Sequence, residues 1–257
     1  DPGAAFTAII QIGTELAVIL YFRHDIIRIL GAWFGSLFGK EGKDFKSRMG
    51  AHNPDTQMGW FIILGTMPIL IAGLLFKHAI EGSLRNLWIT VTVLALFGVL
   101  LWVVDARSKQ VKTMKEMTWK DALIFGIGQM LALIPGVSRS GGTITFGRAM
   151  GYTREAAVRV SFLMAIPAVF GAGILEAVSA VKDVAAGDAG MFPGWGPTIA
   201  AAIVAFVVGY VVIIGFLKFV STFSYKAFAI YRIGLAIVVA LLLITGVLSP
   251  LEAAAAA

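Results

Sequence analysis

The sequence predicts an all-α, polytopic transmembrane helix bundle of about six full spans plus one re-entrant helical hairpin. Two observations carry this expectation. Of the 257 residues, 58% are hydrophobic and only 14% are charged, whereas soluble domains carry roughly 25% charged residues. Apolar stretches of roughly 20 residues, enough to cross a hydrocarbon core, recur along the whole length. A single membrane domain over residues 1–250 accounts for them. Residues 251–257, Leu-Glu and five alanines, read as a tail or tag remnant.

Six runs have the required length: Ala4–Phe22, Met58–Phe76, Leu87–Val104, Ala156–Leu175, Thr198–Leu217 and Ala227–Leu248. Each must be helical, because hydrocarbon offers no partner to an open backbone N–H or C=O. The β-branched residues of the fifth run are no objection, since no water competes there for backbone hydrogen bonds. Between the first two runs, Ile26–Phe38 is amphipathic. It fits a helix lying at the interface with Trp33 as an anchor, followed by a solvated Lys40–Arg48 stretch.

The net charge of +6 follows membrane topology rather than nucleic-acid binding. Residues 23–57 hold six Lys and Arg, 105–120 hold five, 77–86 hold two, and 176–197 hold only Lys182. That bias puts the two basic loops on the cytoplasmic face. The later loops agree with it when 122–150 enters and leaves on one side, and both ends of the present chain then face outward. Cysteine is absent, which excludes disulfides, thiolate metal sites and a Cys nucleophile. His24, His52 and His78 lie at span ends without ligand spacing. A divalent cation such as Mg2+ or Ca2+ would therefore arrive with a phosphate ligand and carboxylates. No Walker or dinucleotide motif occurs.

The segment 121–149 behaves differently from a span. Thr118-Trp-Lys-Asp121 has the pattern of a capping box. About fourteen apolar residues follow to Ile134, a half-span of about 21 Å at about 1.5 Å per residue. Pro135-Gly-Val-Ser-Arg-Ser-Gly-Gly142 then prevents a continuous helix, with Arg139 at the break. An Arg at membrane depth costs about 2.5–3.5 kcal/mol even on lenient insertion scales. Unwound backbone is tolerated there only where it lines a cavity or is buried in protein. The break has the parts of an anion site. Gly136, Gly141 and Gly142 let main chain approach a ligand, and a helix start points its amides outward. Ser138, Ser140 and the Arg139 guanidinium add donors, and Arg grips phosphate oxygens in pairs. A phosphate or diphosphate pocket is the reading; a polar loop with Arg139 snorkelling to headgroups is the alternative.

Other polar residues stay open between two roles. Glu15, inside the first span and one turn after Gln11, either serves the pocket or pairs with a buried partner such as Arg232. Arg232 reads equally as an interface anchor beside Tyr231. Gln129 either hydrogen-bonds the hairpin or makes a polar helix–helix contact. Arg148 reads as snorkelling, and Glu155 as a first-turn acid favoured by the helix dipole.

The string Gln129-Met-Leu-Ala-Leu-Ile-Pro-Gly-Val-Ser-Arg-Ser-Gly-Gly-Thr143-Ile resembles the second signature of the undecaprenyl-diphosphate phosphatases, the BacA/UppP family. Similar stretches are Met150-Gly-Tyr-Thr-Arg154-Glu-Ala-Ala, Ser161-Phe-Leu-Met-Ala-Ile-Pro167, Tyr231-Arg232-Ile, Gly65-Thr-Met-Pro68 and Glu81-Gly-Ser-Leu-Arg-Asn86. The resemblance covers essentially the whole chain. It implies interlocked inverted repeats, each with a re-entrant hairpin, and a site open to the outer face of the bacterial plasma membrane. It implies removal of the terminal phosphate from undecaprenyl diphosphate, a polyprenyl diphosphate lipid, which recycles the carrier for peptidoglycan synthesis and confers bacitracin resistance. A homodimer is left open, and no nucleic acid is involved. In the family's terms Arg139 clamps the diphosphate, with Ser138 and Thr143 as hydroxyl contacts. Ser140, Gly136, Gly141, Gly142, Gln129 and Glu15 complete the expected substrate-binding set. The family's first signature, a Glu-rich helix leading into a Pro-Ile-Ser-Ser-Thr-Gly-His hairpin, is absent from this sequence. That hairpin supplies the family's acids, a His and the favoured Ser nucleophile. It would lie upstream of Asp1, where the chain opens without Met just before an apolar run.

Two functions of different class share these parts. One is a phosphatase acting by positioning and electrostatics. The other is a transporter or flippase of a polyprenyl-phosphate lipid, since broken helices around a midplane anion site also serve transport. Release of inorganic phosphate tells them apart.

Overall fold

The computed structural model describes residues 3–81, 84, 86–187 and 193–250. The tail 251–257 lies outside the described residues, as do Gly82, Ser83 and Arg85 of the 81–86 stretch. Among the described residues the helices, in chain order, are α1 (Gly3–Tyr21), α2 (Arg23–Leu37), α3 (Phe45–Arg48), α4 (Pro54–Leu75), α5 (Lys77–Glu81), α6 (Leu87–Arg107), α7 (Trp119–Met130), α8 (Arg139–Ala149), α9 (Arg154–Ala186), α10 (Trp195–Thr222) and α11 (Lys226–Ile244).

Four of these, α4, α6, α10 and α11, are long and apolar enough to cross a membrane. The first and fourth predicted runs also fold as helices, in α1 and in the 33-residue α9. Lipid as solvent explains the outward faces. Along α10, Ile203, Val207, Val211 and Ile214 recur at helical spacing and all stand exposed, a pattern that water would penalise.

Packing divides the chain into two compact units, each drawn from two stretches of sequence. The first is Asp1–Trp60 with Phe162–Phe219, and the second is Phe61–Ser161 with Val220–Ala257. In the first unit, helices approach through small residues. Gly13 of α1 abuts the Ala202 carbonyl of α10, and Gly209 lies against Ala17 and Thr14. Between helices in lipid there is no hydrophobic drive, so close backbone approach must supply the attraction.

The Trp33 side chain is partly buried. Gly59 leaves room for its ring, which meets Trp60 edge-on at 5.4 Å with Nε1 buried. The exposed apolar stripe of α2 is formed by Ile27, Leu30 and Phe34. The Lys40–Arg48 stretch is mostly exposed, as expected, and side-chain hydrogen bonds order it. Asp44 caps α3, accepting from the Ser47 amide at 3.1 Å and the Ser47 hydroxyl at 2.6 Å. Glu41 accepts from the Asn53 amide and the Thr56 hydroxyl. The Ser36 hydroxyl donates to the carbonyls of Ser47 and Arg48. Short polar side chains therefore fold this loop back onto α2.

In the second unit α6 lies along α11, with Gly98 opening a path for Ala229, Arg232 and Ile233. Val91, Ala236 and Leu243 form the core of that contact. Helices α7 and α8 pack against one another through facing glycines. A Cβ on Gly142 would strike the Gly128 carbonyl, and one on Gly147 would strike the Phe125 ring. Gly126 makes the same kind of approach to Gly65 of α4.

A candidate anion site at the α7–α8 break

Helix α7 starts where the capping pattern predicts. Thr118 Oγ1 accepts from the Asp121 amide at 3.3 Å, and Asp121 Oδ2 accepts from the Thr118 amide at 3.0 Å. Asp121 also accepts from the Tyr152 hydroxyl at 3.0 Å and pairs with Lys112 at 3.4 Å. Burial opposes its charge, but the Thr118 and Tyr152 hydrogen bonds and the Lys112 charge outweigh it, leaving the carboxyl below the usual range. The Tyr152 phenol is pushed up by burial and by the Asp121 charge.

After twelve residues α7 tightens into a 3₁₀ turn, Leu131–Leu133. Ile134-Pro135-Gly136-Val137 then closes a turn, with the Val137 amide donating to the Ile134 carbonyl at 3.2 Å. Gly136 has φ +98° and fits directly against the Thr90 carbonyl of α6. Proline followed by glycine at positive φ is the signature of a type II turn. Neither α7 nor the eleven-residue α8, at about 1.5 Å per residue, could cross the hydrocarbon by itself.

Ser138 is the N-cap of α8, and its Oγ accepts from the Gly141 amide at 3.3 Å. It holds φ +67° and ψ +124°, a strained conformation for a residue with a side chain. Arg139 is the first residue of α8 and is partly buried; Ser138 is exposed beside it, and Ser140 is partly buried. Gly141 and Gly142 complete the opening turn. The Gly142 amide donates to the Ser138 carbonyl at 2.8 Å. The structure thus brings Gly136, Ser138, Arg139, Ser140, Gly141 and Gly142 together around one helix start.

Thr143 lies one turn deeper. It is fully buried, and its hydroxyl donates to the Arg139 carbonyl at 2.8 Å. Gln129 is also fully buried, and neither its Oε1 nor its Nε2 has a hydrogen-bond partner among the described residues. Glu15 belongs to the other unit. There it is buried, accepts from Gln11 Nε2 at 3.0 Å, and lines an apolar groove of about 540 Å³ with Phe170, Ile174 and Lys182.

Two arginines depart from their sequence readings. Arg148 does not snorkel: it is completely buried, with Nε 2.8 Å from Asp105 Oδ1 and Nη1 on the Tyr152 carbonyl. Asp105 also takes a two-pronged bond from Arg154 and one from the Tyr225 amide at 3.2 Å. A carboxylate at the end of α6 offered the network a centre that residues near Arg148 did not reveal. Arg232 is not an interface anchor. It is 8% exposed, and its Nη2 donates to the carbonyls of Gly136 at 2.6 Å and Val137 at 2.9 Å. Its place in the Tyr231-Arg232 pair, inside an apolar run, was the one sequence signal for this.

The break can hold an anion through a guanidinium, hydroxyls and a helix start. Its donors are cationic or hydroxylic, and among the described residues no group of three His, Cys, Asp or Glu side chains is gathered.

The family profile described as bacitracin resistance protein BacA matches residues 1–238. An undecaprenyl-diphosphatase of Bifidobacterium adolescentis is 92% identical over all of this chain and 87% of its own length. One from Bifidobacterium longum subsp. infantis is 71% identical over the same shares. One from Pseudarthrobacter chlorophenolicus is 53% identical over 97% of this chain and 86% of its own.

Proposed function

Because the chain belongs to the bacitracin resistance protein BacA family, we infer that it is a bacterial membrane phosphatase hydrolysing undecaprenyl diphosphate to undecaprenyl phosphate and inorganic phosphate. The activity returns the lipid carrier to cell-wall synthesis and supports bacitracin resistance. The observation that carries the reading onto particular residues is Arg139 as first residue of a half-helix capped by Ser138.

In this proposal 122–150 is a re-entrant hairpin opening to the outer face. The lipid enters from the outer leaflet, its diphosphate resting on the opening turn of α8. Arg139 forks onto non-bridging oxygens of the terminal phosphoryl group. The Ser138 and Ser140 hydroxyls help hold those oxygens as charge redistributes among them. An oxygen nucleophile, water or a Ser hydroxyl, attacks the terminal phosphorus in line, and the anhydride P–O bond breaks. The electron pair leaves on the lipid monophosphate oxygen, and over the whole reaction one water is consumed. Buried Gln129, whose side-chain amide has no hydrogen-bond partner among the described residues, is suited to a polar group of the guest. Thr143 holds the Arg139 carbonyl and so supports the same turn. A divalent cation, where required, comes bound to the diphosphate oxygens rather than in a protein cage.

The test is Arg139→Ala in the full-length protein reconstituted into liposomes, scored by inorganic phosphate released from the lipid diphosphate. Release should disappear. Turnover retained by the variant overturns the assignment of Arg139. A wild-type protein that moves labelled lipid between leaflets without releasing phosphate overturns the phosphatase in favour of a flippase.

A further inference from the structure

Ser138 carries a side chain in a backbone conformation that normally selects glycine. Such strain persists only where neighbouring contacts over-determine it. Ser138 is held by the Gly141 and Gly142 amides, and the turn before it is held by a contact from α11. Arg232 Nη2 takes the carbonyls of Gly136 and Val137 together. The Val137 carbonyl belongs to the peptide unit joined to Ser138, so rotating φ of Ser138 toward negative values swings that oxygen away from the guanidinium. With both successive carbonyls held, neither peptide plane can turn.

Among the described residues no carboxylate pairs with the Arg232 guanidinium, and its Nε has no hydrogen-bond partner. Gly141 makes room for it: a Cβ there would lie 2.8 Å from Arg232 Nη1. We propose that Arg232 is the positioning residue of this site, holding Ser138 in its strained conformation and thereby aiming the Ser138 hydroxyl and the first turn of α8. It acts through the backbone and makes no contact with substrate. The proposal rests on the phosphatase reading above.

The experiment is a double-mutant cycle on reconstituted full-length protein, following kcat and KM for phosphate release. Arg232→Ala in the Ser138 background should lower kcat about 10- to 100-fold and move KM by less than about threefold, as expected when a reacting geometry is misaimed. Arg232→Lys, which keeps a donor for one carbonyl, should fall between and stands in should the Ala variant not fold. Against Ser138→Gly, where positive φ is strain-free, the further loss on replacing Arg232 should shrink to about threefold or less. A full loss in both backgrounds refutes the idea, because a role in charge or folding would not depend on residue 138. So would a kcat within twofold of wild type for Arg232→Ala, or for Arg232→Lys where it stands in for an Ala variant that does not fold. Absence of phosphate release from the wild type would instead fault the assigned function.

Discussion

Replacing Asp105 by Asn should be among the most damaging single changes outside the break. The carboxylate is 3% exposed and serves Arg148, which is completely buried, Arg154, and the amide of Tyr225. Asn keeps the shape and one acceptor but removes the charge, leaving a buried guanidinium with only carbonyl partners. Breaking a buried ion pair from one side costs about 3–5 kcal/mol. Arg154 is partly solvated and adds roughly 1 kcal/mol at most. For a chain of this size each kcal/mol moves the midpoint by about 2–4 °C, so the variant should melt roughly 6–24 °C below wild type. Tryptophan fluorescence in detergent can follow this, since the protein has six Trp and no Cys for thiol dyes. Removing both charges with Asp105→Asn and Arg148→Met should recover part of the loss. A single-variant drop under about 3 °C would show that the network is solvated and the reasoning wrong.

Other outcomes follow from the same geometry. Arg139→Lys should lower kcat/KM about 10- to 150-fold, since losing one charge-assisted bond of a fork removes about 1.5–3 kcal/mol; steady-state kinetics on liposomes measures it. Gly142→Ala drives a methyl into the Gly128 carbonyl, and overpacking of that kind costs about 1–3 kcal/mol, visible as a lower melting midpoint. Burial opposes the charge of Asp121, but its hydrogen bonds to Thr118 and Tyr152 hold the carboxyl below the ordinary aspartate pKa of about 3.9. Its contribution to stability is therefore present above that pH and is lost as pH falls through the lower folded value. Melting curves of wild type should fall more steeply than those of Asp121→Asn below about pH 4, and parallel curves would contradict the Thr118–Tyr152 cradle.

What could be read from the residues alone was local. The α7 start is written in Thr118 and Asp121, three positions apart, and the α8 start in the Pro-Gly-x-Ser-Arg string, so both were found where expected. The apolar runs were legible because lipid leaves the backbone one choice. Partnerships across the chain were not. Arg148 looked like a snorkelling side chain because Asp105 lies 43 residues away, and Arg232 finds its carbonyls 95 and 96 residues upstream. The contact of the Trp33 ring with Gly59, on another helix, was likewise out of reach. Periodicity reports which face is apolar, and it cannot say which neighbour that face meets.

The Asp105 cluster also bears on how the protein is built. Its carboxylate is synthesised 43 residues before Arg148 and 120 before Tyr225. At about 5–20 residues per second, it waits roughly 2–9 s for the first guanidinium and 6–24 s for the closing amide. During that interval the end of α6 carries an uncompensated acid, which must stay near water or in the insertion machinery. Arg148 of α8 is therefore available to α6 before the turn ahead of α11 exists to lock it, and a nascent chain cut short of residue 225 should be a substrate for quality-control proteolysis.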